Sequence, residues 1–327
     1  MPSPIEPLTT EAPQRVALVT GAGGFTGRYV TERLLDSGYS VAGLTHSSNV
    51  TDVSPDEKSR RFRLYSCDLL DLARLSAVLA QIRPSHVVHL AGIAFVAHGD
   101  VDAVYRTNII GTRNLLQALA DNGIEPVSVI LASSANIYGN ADVDPIDESI
   151  SPNPVNDYAV SKLAMELMAK LWFDRLPITI TRPFNYTGPG QSLDFVLPKI
   201  VAHFARRRHE ITLGNLDVER DFSDVQSIAE TYCRLLDKAP AGEVFNLCSG
   251  RVVSLRDVLD VMAEIAGYRI KVHTDPMLQR RHEVRRLRGS DAKLRACIGE
   301  RQVAELADTL RTMYQIMHAA LPREDEE

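Results

Sequence analysis

The chain is poor in cysteine, has no surplus of positive charge and holds no long apolar run. Cys67, Cys233, Cys248 and Cys297 are its four cysteines among 327 residues, widely spaced and without a C-x-x-C pair. That argues against a disulfide framework. The four are expected to be reduced, mostly buried thiols of a cytoplasmic protein, and no metal site is expected. A formal net charge of −6 gives nucleic acid and anionic membranes no reason to bind. No apolar stretch approaches the length that spans a bilayer. Residues 1–14 hold four prolines and two glutamates but neither a basic n-region nor an apolar run, so they are expected to be a loose tail. Arg323-Glu324-Asp325-Glu326-Glu327 reads as a solvated end, and no repeat or low-complexity segment is found.

What is present is an alternation. A hydrophobic content of 45% is ordinary, and 327 residues are long for one core, so two lobes are expected. Strands are predicted at Arg15–Thr20, Ser40–Leu44, Phe62–Ser66, His86–Leu90, Ser128–Ala132 and Ile178–Thr181. Helices are predicted between them, at Thr26–Asp36, Leu72–Gln81, Val101–Asp121 and Asp157–Phe173. This is the pattern of an α/β fold of Rossmann type, a doubly wound parallel sheet covered on both faces. Residues 15–184 should form that domain, and the strand Glu243–Cys248 should return to it. Residues 185–242 and 249–327 should mainly form a smaller, interleaved lobe. There, helices are predicted at Leu197–Arg207, Leu255–Ala266 and Gln302–Ala320, and strands near Glu210–Leu213 and Arg269–His273.

Two short stretches carry the chemistry. Gly21-Ala22-Gly23-Gly24-Phe25-Thr26-Gly27 follows the first strand and opens a helix, where a pyrophosphate can rest on backbone N–H groups. Glycine at 21, 24 and 27 permits a tight turn and close approach of phosphate. The second strand ends Thr45-His46-Ser47 with no acid to hold a ribose 2′-hydroxyl, and Arg28 follows Gly27. That favours NADP(H), with NAD possible; the alternative for Arg28 is a solvated helix position. Tyr158 and Lys162 stand four residues apart on one helical face. A nearby ammonium and the positive nicotinamide are expected to bring the phenol's pKa toward working pH, and Ser134 at a strand end can hold a substrate oxygen.

Together these stretches resemble the extended short-chain dehydrogenase/reductase family, over nearly the whole chain. The resemblance implies Ser134, Tyr158 and Lys162 as catalytic residues, with Lys162 also on the nicotinamide ribose. It implies that Asp68, in Cys67-Asp68-Leu69, contacts adenine, the alternative being a helix cap. Leu90, Ala91 and Gly92, in His89-Leu90-Ala91-Gly92, would pack along the cofactor, with His89 itself read as a strand-end core residue. Asn108 matches a structural asparagine of the family, and Pro183 lies at the cofactor end of the next motif.

The second half resembles the members that handle GDP-sugars. Arg182-Pro183-Phe184-Asn185-Tyr186-Thr187-Gly188-Pro189-Gly190-Gln191 matches their substrate loop, which implies that Asn185 reaches the diphosphate. Phe195, Val196 and Lys199 would line the nucleotide pocket, and Leu213, Gly214, Asn215 and Arg220 would contact guanine and diphosphate. Arg280 and Glu283 occupy phosphate and ribose positions of an R-P-x-E-V pattern whose proline is here Arg281. Residues 280–295 hold seven Lys/Arg against Glu283 and Asp291, a diphosphate partner or a solvated face. In related dehydratases a glutamate lies two positions after the catalytic Ser/Thr. Here Ala135 and Asn136 follow Ser134, and an amide cannot shuttle a proton. The implied reaction is NADPH-dependent reduction of GDP-4-dehydro-6-deoxy-D-mannose to GDP-D-rhamnose. The alternatives are a 4-epimerase with bound NAD and a non-catalytic dinucleotide sensor. The resemblance and the apolar faces of the helices at 101–121 and 157–173 also imply a homodimer.

Overall fold

The computed structural model describes residues 15–46, 61–94, 100–278 and 285–321. The N-terminal tail, Ser47, Arg280, Glu283 and the acidic end lie outside the described residues.

Seven apolar runs pair in parallel. They are β1 (Val16–Thr20), β2 (Ser40–Thr45), β3 (Phe62–Ser66), β4 (His86–His89), β5 (Ser128–Ala132), β6 (Ile178–Pro183) and, after a long excursion, β10 (Val244–Leu247). Their order is β3-β2-β1-β4-β5-β6-β10, so chain direction across the sheet reverses between β1 and β4. Ligands bind at such a switch point, outside the carboxyl ends of the strands.

The side chains alternate between two cores. Leu18, Val87, Val129, Leu131 and Ile180 face α2 (Leu72–Ile82), α4 (Thr112–Asp121) and α5 (Asp157–Lys170). Ala17, Val19, Val88, Ile130 and Phe245 face α1 (Phe25–Asp36), α7 (Val225–Lys238) and α9 (Ala292–Ile298). The last two helices correct the expected lobe division, because both cover the main sheet. The apolar side of α7 at Ile228, Tyr232, Leu235 and Leu236 has the spacing of a sheet-covering helix, and no helix was expected there.

The second lobe packs α6 (Val196–Ala205), α8 (Leu255–Ala266) and α10 (Leu306–Ala319) around Ile200, Phe204, Leu213, Val258, Met262 and Leu310. Its strands β7 (Asn185–Thr187), β9 (Glu219–Asp224), β11 (Val252–Ser254) and β13 (Arg286–Leu287) form one small sheet. A second pairs β8 (Glu210–Leu213) with β12 (Lys271–Thr274).

The single helix expected at Val101–Asp121 is interrupted. α3 (Val101–Tyr105) and α4 flank a π-helix at Arg106–Gly111, which buries both Asn108 and Gly111. A Cβ at Gly111 would lie 3.1 Å from Leu69 Cβ, so the wider turn sits tight against the neighbouring loop. π-turns of this kind concentrate at functional sites.

Candidate active site

Every strand from β1 to β6 delivers a sequence-predicted residue to the same carboxyl edge. After β1 the chain turns at Gly21, whose φ is +70° and whose N–H donates to Leu44 O at 2.9 Å. A Cβ there would lie 2.9 Å from Ala91 N, and one on Gly27 would lie 2.1 Å from Gly21 O. Only glycine lets the loop close this tightly. Gly24 caps α1 with no side-chain hydrogen bond, and no acid stands in the first turn. The positive end of the helix therefore faces the edge, and the residues present fit a dinucleotide diphosphate.

That first turn is also bound to the loop after β7. Phe25 stacks on Tyr186 with ring centroids 6.1 Å apart, and the Thr26 and Tyr186 hydroxyls are 2.8 Å apart. Tyr29 Oη donates to Pro189 O at 2.8 Å, and Arg28 Nη2 to Gly190 O at 3.2 Å. Arg28, expected at a ribose phosphate, is thus bonded to the loop at Pro189-Gly190.

At the ends of β2 and β3, His46 Nε2 lies 3.7 Å from Asp68 Oδ2. Asp68 Oδ1 accepts from Leu70 N, but the N-cap of α2 is Asp71. Leu69 packs into the core, and its carbonyl accepts from Asn114 Nδ2, which leaves Asp68 as the edge residue of the pair. Beyond β4, Leu90 N donates to Thr20 O. Gly92 lies so close to the catalytic helix that a Cβ would meet Asn108 Oδ1 at 2.9 Å and Lys162 Nζ at 3.2 Å. Pro183 is buried at the end of β6, paired with Leu247.

The Ser134 hydroxyl lies close enough to Tyr158 to lower its pKa. Ser134 Oγ also accepts from Asn136 N at 3.2 Å, which places Asn136 on the next turn. Asn156 caps α5 through Ala159 N, so Tyr158 enters the helix in its first turn. One turn on, Lys162 Nζ donates to Ala132 O at 2.8 Å. Burial pushes the Tyr158 phenol up to about 12; the Ser134 hydroxyl pulls it down and Tyr186 pushes it further up. In the protein alone burial outweighs the other influences; the expected lowering draws on the charge of the nicotinamide as well as on Lys162. Burial also pushes Lys162 down to about 8, against the charge of Glu166. Tyr158 is therefore a phenol at neutral pH, and Lys162 is mostly charged.

Three buried groups have partners that the sequence reading did not give them. His89 is fully enclosed and bonded through both ring nitrogens, to Thr20 Oγ1 at 2.7 Å and Thr112 Oγ1 at 2.8 Å. Burial, and then the Lys162 charge, push it down to about 3. Arg182 and Glu166 form a buried two-bond ion pair of 3.0 and 2.7 Å, which Arg182 extends to Tyr138 Oη at 2.8 Å. Asp221 is buried and accepts from Ser249 N, Ser249 Oγ and Gly250 N, fastening β9 to the turn after β10. His89 was read as a strand-end core residue, which its burial matches, and Arg182 stood before Pro183 in the substrate-loop motif.

The substrate-side predictions divide. Asn185 Nδ2 is buried with no hydrogen-bond partner, as a ligand-facing amide would be. Phe195, the N-cap of α6, is 38% exposed, and Val196 begins the helix. Lys199 Nζ donates to Thr212 O at 3.1 Å. Arg220, on β9, donates to Glu219 O at 2.9 Å and Arg285 O at 3.3 Å. Gly214 and Asn215 come after β8, and Asn215 Oδ1 accepts from Asp217 N. Leu213 is a correction: it is 3% exposed within the second-lobe core, and its carbonyl accepts from Asp275 N. The alternation Glu210-Ile211-Thr212-Leu213 already placed Ile211 and Leu213 on one buried face.

A glycine turn at the switch point, a Ser–Tyr–Lys cluster beside it and a parallel sheet beneath define a nicotinamide-dependent enzyme of the short-chain dehydrogenase/reductase type. The chain belongs to the GDP-mannose 4,6-dehydratase family, whose sequence profile matches residues 18–313. It is 36% identical over 257 residues to GDP-6-deoxy-D-mannose reductase of Pseudomonas aeruginosa, covering 75% of this chain and 84% of that protein. A solved protein from Burkholderia cenocepacia J2315, provisionally called an epimerase, is 51% identical with a TM-score of 0.88, over 94% of this chain and 99% of that one. The structure of RMD from Pseudomonas aeruginosa complexed with NADPH is 32% identical with a TM-score of 0.80, over the same shares. The chain is accordingly a nucleotide-sugar-modifying enzyme that uses NADP or NAD. Among the described residues, no helix is long and apolar enough to cross a membrane.

Proposed function

We propose that the protein reduces the C4 ketone of GDP-4-dehydro-6-deoxy-D-mannose to GDP-D-rhamnose with NADPH. The observation that carries this reading is Tyr158 beside Ser134 and Lys162, with Ala135 and Asn136, not a carboxylate, after that serine. When bound, the reduced dinucleotide supplies a hydride. Ser134 holds the ketone oxygen, and Tyr158 gives its proton to that oxygen, so the C=O becomes an alcohol. The Lys162 ammonium offsets the charge left on Tyr158. A phenol with a raised pKa suits donation in this direction, because it stays protonated across the physiological range. Asn185 and Arg220 are proposed on the diphosphate, the guanidinium for its match to phosphate.

A 4-epimerase is the second reading, favoured by the same triad, which also serves oxidation. Cofactor accounting separates the two. The reductase consumes one NADPH per sugar and exchanges it freely. An epimerase retains NAD through purification and consumes none, and that result would replace this reading.

A further inference from the structure

We propose that His89 is a positioning residue: its neutral ring, bonded through both nitrogens, fixes the catalytic helix relative to the cofactor loop at 90–92. The inference rests on Tyr158 being the proton donor.

The bond directions are set by the partners. Thr112 Oγ1 donates to Asn108 O at 2.7 Å, so toward His89 it accepts, and the ring proton sits on Nε2. Nδ1 then accepts from the Thr20 hydroxyl, whose oxygen accepts from Ala91 N at 3.1 Å. On the other side, Asn108 Nδ2 donates to Ser161 Oγ at 3.0 Å, and Ser161 Oγ donates to Tyr158 O at 2.7 Å. Asn108 Oδ1 and Nδ2 also clamp Ile93 N and O, at 2.9 and 3.2 Å. One line of hydrogen bonds thus runs from Ala91, against the glycine turn, through a wholly buried imidazole and the π-helix to the backbone of the acid. Burial and the nearby Lys162 charge keep a second proton off the ring, so its donor and acceptor sides do not exchange.

The two ends of this line are not equally supported. The cofactor loop keeps its backbone bond from Leu90 N to Thr20 O without His89. The Thr112 hydroxyl, which caps the Asn108 carbonyl within the π-helix, has His89 as its other partner. Loss of the ring's bonds therefore loosens the helix side, moving Tyr158 relative to the ketone while sparing nucleotide affinity. A shift of about 1 Å at a reacting group costs on the order of 10²-fold in rate.

The test uses the full chain. His89→Phe keeps a ring of similar size and removes both bonds, while His89→Gln offers one acceptor and one donor. With NADPH and GDP-4-dehydro-6-deoxymannose, His89→Phe should lower kcat by about tenfold or more. The sugar KM, and the NADPH Kd measured without sugar, should stay within about twofold. His89→Gln should recover part of kcat. Should His89→Phe fail to fold, Thr112→Val keeps the ring but removes its Nε2 partner together with the Thr112–Asn108 bond, and should lower the same parameter. In ¹⁵N-histidine spectra of the nucleotide-free protein, His89 should show a neutral ring protonated at Nε2 that does not titrate between about pH 5 and 9. Wild-type kcat in His89→Phe, a loss confined to NADPH affinity or melting temperature, or a ring that titrates near neutrality would overturn the inference. A wild type without turnover would instead overturn the reductase reading, and the titration of His89 would then decide the inference.

Discussion

At the scale of single residues, burial sets the resting protonation of Tyr158 and Lys162. Tyr158, pushed up to about 12, holds its proton at every pH where the fold works, whereas Lys162, pushed down to about 8, does not hold its charge. Lysine is cationic below its pKa and neutral above it. Reduction should therefore be flat near neutrality and fall as pH rises through about 8, with no rising limb. Measuring kcat from pH 6 to 10 checks this, and a rate that climbs through 8 would contradict it. Tyr158→Phe should cut turnover by roughly 10²-fold or more and leave NADPH binding nearly intact, by stopped-flow and titration. The Arg182–Glu166 pair gives a stability prediction. Its side chains are 7% and 2% exposed, so Glu166→Ala strands a buried guanidinium. The expected loss is about 3–5 kcal/mol, read by denaturant unfolding, and a change below about 1 kcal/mol would mean the guanidinium finds water. Ser134, Tyr158 and Lys162 were legible because residue type and local spacing carry them. The bonds of His89 were not: its partners Thr20 and Thr112 lie 69 and 23 positions away, and only the fold joins them.

At the scale of elements, periodicity showed the strands of the main sheet and several helices to within a few residues, from Phe62–Ser66 to Leu255–Ala266, but not the short strands β7, β9, β11 and β13 or the helix α9. It failed at the π-helix, because one extra residue in a turn leaves composition unchanged and only rotates the rest of the helix about its axis. It also failed at α7, where polar Gln226, Glu230 and Arg234 mask an apolar stripe whose partner sheet lies elsewhere in the chain. Helices α3 to α5 leave another stripe uncovered. Val104, Leu115, Leu116, Leu119 and Met165 are buried, but Ile110, Val160, Leu167 and Leu171 are exposed, Leu171 by 77%. We propose that a second copy covers these residues, each helix pair meeting its copy in a two-fold bundle. Leu167→Glu with Leu171→Glu should turn a dimer into a monomer in light scattering at micromolar concentration; a wild type already monomeric would remove the proposal.

At the scale of the whole molecule, two lobes meet where β1 to β6 end. The first turn of α1 touches both partners: its backbone faces the dinucleotide position, and Phe25, Thr26, Arg28 and Tyr29 hold the loop that carries Asn185. On the proposed reading the site moves a hydride and a proton to a ketone, and Asn136 stands where an elimination would need a carboxylate. GDP-mannose with NADP+ should accordingly give no 4-keto-6-deoxy product. The most direct measurement tracks the hydride itself. Purified protein is incubated with NADPH deuterated at the nicotinamide C4 and GDP-4-dehydro-6-deoxymannose, and the product sugar is read by NMR. The account predicts deuterium at sugar C4, in GDP-D-rhamnose, one per NADPH consumed. A product without deuterium, or sugar recovered unchanged beside intact NADPH, would contradict it.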